Sequence, residues 1–430
     1  MTYVQIYRST LAFGVPALLN LLSVVVFSRM LSLEQYGNLS LVWISIELIA
    51  GVSFGWCKMG MMRFFTKTHE SLFVGSQFML LVFLLLLPLL VVCFAFDLGI
   101  LYLPQIILGA ILRGCCYFIQ DFYRISGQGL KKYTYFTFVS NTLYFLPSIL
   151  YAIFSDRKDL NVIIALQVGG LGLLVGGLLA TAMVKSKGRY FRQYKRLSYA
   201  NFLKYALPLV VASVAVTLFI RVDRFVIEYY LGPRELGLYA AAFNLSNVVI
   251  SSVFSIVTIA TYPKIIRNLN EHQVEKAHHL FAGNSMVFLV FIPLLMILVL
   301  LFRSFLCVLF FGDKGPQIAE VFPWIVVCVY LFNLKQHHFD QILQFVNRTD
   351  WTMKIAAVTG LMHVLTSSML IHRFKLNGVA FSSALWSLVG IICLLLLTCK
   401  RFPLGLDRKL QMIVCMLFVV VCGLLYISSI

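Results

Sequence analysis

Arg29-Met30-Leu31-Ser32-Leu33-Glu34-Gln35-Tyr36-Gly37-Asn38-Leu39-Ser40 has a counterpart 200 residues later, Tyr229-Tyr230-Leu231-Gly232-Pro233-Arg234-Glu235-Leu236-Gly237-Leu238-Tyr239-Ala240. Leu31 matches Leu231, Gln35 matches Glu235 and Gly37 matches Gly237. Each copy joins one long apolar stretch to the next. Internal duplication on this scale is how many membrane carriers are built, with the substrate site between the two halves. The repeat therefore points to a carrier and not merely to a protein embedded in a bilayer.

Composition agrees. Of 430 residues, 60% are hydrophobic and 12% are charged, and the mean hydropathy is +0.90. A soluble domain has about 25% charged residues, so this chain has too little polar surface to coat a globule in water. The net charge is +18. In a soluble chain that excess would raise nucleic acid as a partner. In a membrane chain it reflects the rule that cytoplasmic loops carry Lys and Arg, and no nucleic acid is expected. The ten cysteines lie mostly inside apolar stretches without CxxC spacing, so they read as small packing residues. The first apolar run lacks a small-residue cleavage site and is expected to be an uncleaved anchor.

A bilayer crossing takes about 20 mostly apolar residues. Candidate spans are 10–30, 39–61, 75–96, 99–120, 134–154, 162–184, 203–222, 238–261, 284–306, 320–341, 352–371 and 377–399, with 410–429 as an appended thirteenth. Alternate connections are basic, most of all 185–204, with seven Lys/Arg and no acid. That pattern puts the N-terminus and the long basic connection in the cytoplasm. The short neutral loops, 307–319 among them, fall outside. One loop resists this scheme: 372–376 should be external, yet it carries Arg373 and Lys375. The expected organisation is an all-α polytopic membrane protein of two pseudo-symmetric six-helix bundles. The N-terminal bundle is 1–184, a basic cytoplasmic linker is 185–202, the C-terminal bundle is 203–400, and 401–430 is an appended transmembrane segment. An even number of spans per half makes the halves parallel repeats about an axis along the membrane normal.

Phe27 to Gly37 resembles the "Arg-x-Leu-Ser-x-Glu-x-Tyr-Gly" opening of the polysaccharide-transport branch of the multidrug/oligosaccharidyl-lipid/polysaccharide (MOP) exporter superfamily. Asp223 to Ile227, with Leu231-Gly232 and Gly237-Leu238-Tyr239, is similar to that branch's seventh span at slightly shifted spacing. Within the branch the chain looks like the Wzx-type O-antigen flippases, over residues 8–400 or so. The resemblance implies two six-helix bundles around a central cavity. It also implies that an undecaprenyl-diphosphate-linked oligosaccharide is moved from the inner to the outer leaflet of a bacterial inner membrane. A polysaccharide polymerase and chain-length machinery would be the partners downstream. The appended segment 410–429 departs from the branch's usual twelve spans.

Such a cargo has sugar hydroxyls, a doubly anionic diphosphate and a tail that prefers lipid. It needs a polar, cationic cavity open to the bilayer. Charges at membrane depth cost about 2.5–3.5 kcal/mol each and usually face such a cavity. Candidate ligands for the cargo are Arg29, Lys58, Arg63, Arg113, Arg124, Arg221 and Arg224. Arg offers a planar donor fork and Lys a point charge. The resemblance puts Arg29 first, because related lipid-linked-precursor flippases place a functional Arg near the end of the first span; otherwise Arg29 snorkels to the interface. Arg113 lies mid-span, too deep for that. Arg221, Asp223 and Arg224 could instead simply be ion-paired near the external boundary. Glu47, mid-span in an apolar helix, either pairs with a cation or carries a coupling ion, and Asp223 poses the same choice.

Aromatic and polar residues from Tyr133 to Thr137, with Asn141 and Tyr144, could stack on sugars or form an interfacial belt. Asn244 and Asn247 share one helix face and could line a lumen. The run Lys335 to Asp340 and the histidines 272, 278 and 279 lack a complete ligand set, so no metal is expected. No cofactor is expected either, and no nucleotide-binding or hydrolytic motif is present, so a transporter and not an enzyme is expected. An efflux carrier of the same superfamily would favour an acidic cavity for organic cations. A multispan polysaccharide polymerase would need a larger external loop than this chain offers.

Overall fold

The computed structural model describes residues 3–64, 97–125, 130–186, 221–346 and 349–398. The expected span 75–96, nearly all of 203–222, the linker from 187 onward and the appended segment 401–430 lie outside them. The described residues are helical throughout and contain no strand. Seven helical stretches are long and apolar enough to cross a membrane, and Gly14–Met30 is a shorter apolar one. The chain is an all-α polytopic membrane protein. Helices dominate because backbone groups in lipid must be satisfied within their own segment.

The helices are α1 (Tyr3–Met30), α2 (Leu33–Phe64), α3 (Asp97–Ile125), α4 (Leu130–Phe154), α5 (Leu160–Ser186), α6 (221–231), α7 (Pro233–Asn270), α8 (Val274–Met286), α9 (Ile292–Leu301), α10 (Arg303–Phe311), α11 (Gly315–Leu334), α12 (Asp340–Phe345) and α13 (Thr349–Thr398). They form two compact units. One comprises Met1–Leu31 and Asn38–Arg221, the other Ser32–Gly37 and Val222–Ile430. In the first unit α4 packs against α1 and α5, and α3 lies against α4 and α5. In the second, α11 is central, touching α7, α10 and α13.

The two copies of the opening motif start their helices differently. In the first, Ser32 and Gln35 form a capping box: the Ser32 N–H donates to Gln35 Oε1 (3.0 Å) and the Gln35 N–H to Ser32 Oγ (3.1 Å). In the second, Gly232 holds φ at 84° and Pro233 takes the first helical turn, where its missing N–H costs nothing. Residues 32–37 belong to the second unit, and there the two copies cross. A Cβ on Gly37 would overlap the Pro233 carbonyl, and one on Gly237 would overlap the Leu33 carbonyl. The pairing is reciprocal, 37 on 233 and 237 on 33, so the repeat read from the sequence is a local two-fold contact of backbone on backbone. Small residues permit such close approach between membrane helices.

Helix α8 runs into α9 through a π turn at Val287–Phe291, just before Pro293. Proline has no N–H for the i−4 carbonyl and its ring crowds that carbonyl, which favours the wider turn. A second π turn, Lys335–Phe339, joins α11 to α12. The Tyr330 hydroxyl of α11 donates to the Phe288 carbonyl in the first π turn (3.0 Å). One loop expectation is corrected: 307–319 is not a loop. Helix α10 occupies Arg303–Phe311, a turn follows at Gly312 (φ 62°), and α11 begins at Gly315. The run Ser304 to Phe311 is too apolar to sit in water, so it stays helical. The basic loop 372–376 is a tight turn inside α13, at Lys375 (φ 47°), with the span on either side lying where the sequence puts it.

Candidate functional site

The first unit holds a charge cluster at the middle of its helices. Glu47 of α2 accepts from Arg113 Nε of α3 at 2.9 Å and from the Tyr117 hydroxyl at 2.5 Å. Arg221 NH2 stands 4.0 Å from the other side of the same carboxylate. The Arg113 guanidinium lies over the rings of Tyr117 and Tyr144, 5.1 Å from each centroid, a favourable electrostatic arrangement. Arg113 is 14% exposed, Glu47 22% and Arg221 30%. Two cations share one carboxylate, so the cluster carries a net +1. Arg113 spends Nε on Glu47; its four other N–H groups sit on the two terminal nitrogens, the fork that suits phosphate oxygens.

Tyr117 escaped sequence reasoning. The signal was present: Tyr117 follows Arg113 by four residues, so the two share a helix face. Tyr117→Phe removes one hydrogen bond to a charged acceptor. It is expected to lower stability by about 1.5 kcal/mol, the low end of such bonds because Glu47 is partly exposed. Thermal unfolding of the detergent-solubilised protein measures it.

The second unit holds a polar network of a different kind. Asp223 of α6 contacts His363 Nε2 of α13 and accepts from the Tyr239 hydroxyl of α7 at 2.6 Å. His363 Nδ1 lies 2.9 Å from Ser382 Oγ, Ser382 is within reach of Thr366, and Trp386 Nε1 donates to Thr366 at 2.9 Å. Asp223 and His363 are both buried. Arg224, one residue on, turns elsewhere. Its NH2 donates to Asn244 Oδ1 (2.6 Å), and Asn244 Nδ2 donates to the Tyr36 hydroxyl (3.1 Å), so the arginine is tied to the opening motif.

Arg221 and Asp223 each form an ion pair, and each does so with a residue from another helix. Helical side chains two residues apart point about 200° apart, which sends Arg221 to Glu47 and Asp223 to His363. Arg29 is exposed in the last turn of α1. Lys58 and Arg63 lie on α2 and Arg124 on α3, but their side chains fall outside the described residues. Asn247 bonds Asn333 at 3.2 Å, and Asn141 returns to the Thr137 carbonyl of its own helix. Tyr135 is 71% exposed while Tyr144 is buried beneath Arg113. Lys335 pairs with Asp340 at 3.1 Å, and His338 Nε2 lies 3.0 Å from Ser285 Oγ. Among the described residues no group of three metal-ligating side chains converges. Between α7, α9, α10 and α11 lies a cavity of about 230 Å³ lined mainly by apolar residues, among them Leu245, Met296 and Phe322.

A sequence family described as polysaccharide biosynthesis protein matches residues 6–269, and the MatE family matches residues 208–369. No curated protein sequence matches. The solved structures that share the fold include the three that follow. The lipid II flippase MurJ in an inward closed conformation is 14% identical, with a TM-score of 0.71, covering 99% of this chain and 93% of its own. An inward-facing multidrug resistance MATE family transporter of the MOP superfamily is 15% identical, with a TM-score of 0.56 over 92% and 98%. A variant of the Vibrio cholerae MATE transporter VcmN is 13% identical, with a TM-score of 0.53 over 92% and 99%.

Proposed function

We propose, because the chain belongs to the polysaccharide biosynthesis protein family, that it is a flippase for undecaprenyl-diphosphate-linked oligosaccharide, the repeat unit of O-antigen or a similar surface polysaccharide. It carries this cargo from the inner to the outer leaflet of a bacterial inner membrane by alternating access, with its own N-terminus in the cytoplasm. It is a transporter and not an enzyme. The two halves are 1–184 and 203–400, joined by the basic stretch 185–202, and a polymerase with its chain-length machinery takes the cargo afterwards.

The observation that carries this reading is the net positive cluster of Arg113, Arg221 and Glu47. Two arginines in a helix interior around one carboxylate leave one charge for an anion to balance, and an intramembrane charge that nothing balances costs about 2.5–3.5 kcal/mol. A diphosphate supplies that balance and matches the arginine fork. Arg29, Lys58, Arg63, Arg124 and Arg224 are the further proposed ligands for the cargo. The MatE match over residues 208–369 favours a second reading, export of small organic cations. A cation would meet the wrong sign at Glu47, whose charge two arginines already offset.

The test is a lipid extract from cells that lack this gene but keep the sugar-assembly enzymes. The expected result is undecaprenyl-diphosphate-linked oligosaccharide accumulating on the cytoplasmic face and cleared when the gene is restored. Normal outward-facing lipid together with altered sensitivity to organic cations would transfer the assignment to efflux.

A further inference from the structure

We propose that the cavity between α7, α9, α10 and α11 is a site for an anionic phospholipid, with one acyl chain inside it and the phosphate at Arg303. Its floor includes buried Met296, Cys307 and Phe322, and its rim includes exposed Val249 and Leu295. The surface beside that rim, at Leu294, Leu298 and Phe305, is exposed and apolar. In a membrane protein such a face meets hydrocarbon, so the cavity opens to the bilayer. The Ser246 hydroxyl in its lining donates to the Ala242 carbonyl (2.7 Å) and has no proton left for a guest. An apolar space gives water no partners and stays dry. Its volume of about 230 Å³ is below the roughly 300–1,000 Å³ of sites that enclose a whole small molecule. That is room for a length of chain.

Arg303 supplies the polar end. It opens α10, and Leu306, Cys307 and Phe310 follow it by three, four and seven residues. Those three line the cavity, so Arg303 shares the helix face that walls it. Its charge acts on the Cys307 thiol one turn away. Gly315 lets α11 lie against the backbone of Cys307 and Val308, which holds that wall in place. Arg303 also stands three residues from the end of the expected span 284–306, where a long cationic side chain reaches the headgroup level. Among the described residues no acid forms an ion pair with Arg303. The acids nearest in sequence are directed elsewhere. Asp313 lies in the turn beyond the far end of α10, and Glu320 precedes Phe322 by two residues, about 200° around α11.

Charge selects the occupant. Arg303 carries one positive charge, which matches the single negative charge of a phosphodiester such as that of phosphatidylglycerol. Phosphatidylethanolamine brings its own ammonium, and neither Asp313 nor Glu320 faces the cavity to receive it. A polyprenyl diphosphate brings two negative charges and asks for more than one cation. The site therefore goes beyond the transport reading: it holds a lipid of the surrounding bilayer and not the cargo.

The test places the full chain in nanodiscs of phosphatidylethanolamine with a minority of phosphatidylglycerol that carries a diazirine on one acyl chain. Illumination attaches that chain to what it touches, and peptide mass spectrometry locates the adducts. Adducts are expected on the cavity-lining segments 292–299 and 306–310. Unlabelled phosphatidylglycerol should compete them away, and unlabelled phosphatidylethanolamine should not. Arg303→Gln should lower their yield about fivefold, the contribution of one basic residue to holding an anionic lipid. Arg303→Lys should keep most of it, because the charge remains. Val249→Trp, at the rim, should block entry and lower the same adducts with Arg303 intact. Adducts elsewhere on the chain are the internal reference. Equal competition by the two phospholipids, or an Arg303→Gln yield equal to the parent's, would overturn the site and leave ordinary boundary lipid. Stronger competition by undecaprenyl diphosphate than by phosphatidylglycerol would also overturn it, in favour of the cargo's tail. The competition is read on the parent protein, so a variant that fails to fold does not prevent the decision.

Discussion

Arg113→Ala is expected to stop delivery of lipid-linked glycan to the outer leaflet and to destabilise the first unit at the same time. Truncating one member of a buried pair strands the other, at a cost of about 3–5 kcal/mol. The lower end applies here, because Glu47 is 22% exposed and Arg221 lies 4.0 Å away to take up part of its charge. Loss of transport alone would therefore be ambiguous. The double variant Arg113→Ala/Glu47→Ala separates the two effects. With no stranded charge, its thermal midpoint should return most of the way to that of the parent, while outward-facing glycan stays at least about tenfold down, because the anion has lost a bidentate donor. Arg113→Lys should fall between, as it keeps the charge but not the fork. If the stable double variant delivers glycan at the parental rate, Arg113 holds helices together and does not touch cargo.

Much of the fold was legible because lipid leaves a chain few options. A run of about 20 apolar residues has to be helical, and the expected spans within the described residues are, although 284–306 and 320–341 each contain a π turn and the first also crosses a break at Phe302. The misreading of 307–319 has the same physical root. Gly312, Asp313, Lys314 and Gly315 look like a loop, but they are only a turn between apolar helices α10 and α11. Site chemistry was legible one residue at a time: Arg113 and Glu47 stood out as charges too deep to reach water. Their partnership was not, since 66 residues separate them in sequence. His363 was invisible for a related reason. A single histidine in an apolar helix carries no periodic or spacing signal, and only its contact with Asp223, 140 residues away, gives it a role.

The crossing of the repeated motifs predicts the second large effect. Gly37→Ala and Gly237→Ala should each cost about 1–3 kcal/mol or more, the range for forcing atoms into a packed contact. What a new methyl meets at either position is backbone, the carbonyl of Pro233 or of Leu33. No rotamer change removes a carbonyl, so the helices themselves must separate. For a unit of this size each kcal/mol lowers the thermal midpoint by about 2–4 °C. Gly176 supplies the control: it too is helical, but a Cβ there meets nothing within 4 Å. Gly176→Ala should be neutral or stabilise by up to about 1 kcal/mol, because alanine is the better helix former. The reciprocal geometry sharpens the expectation. Both glycines guard one interface, so once the first methyl has opened it the second should cost less, and the Gly37→Ala/Gly237→Ala variant should fall short of the sum. Midpoints of the parent and the four variants decide it. If Gly37→Ala melts with Gly176→Ala, the two copies do not touch backbone to backbone. If the double variant is strictly additive, they do not share one crossing.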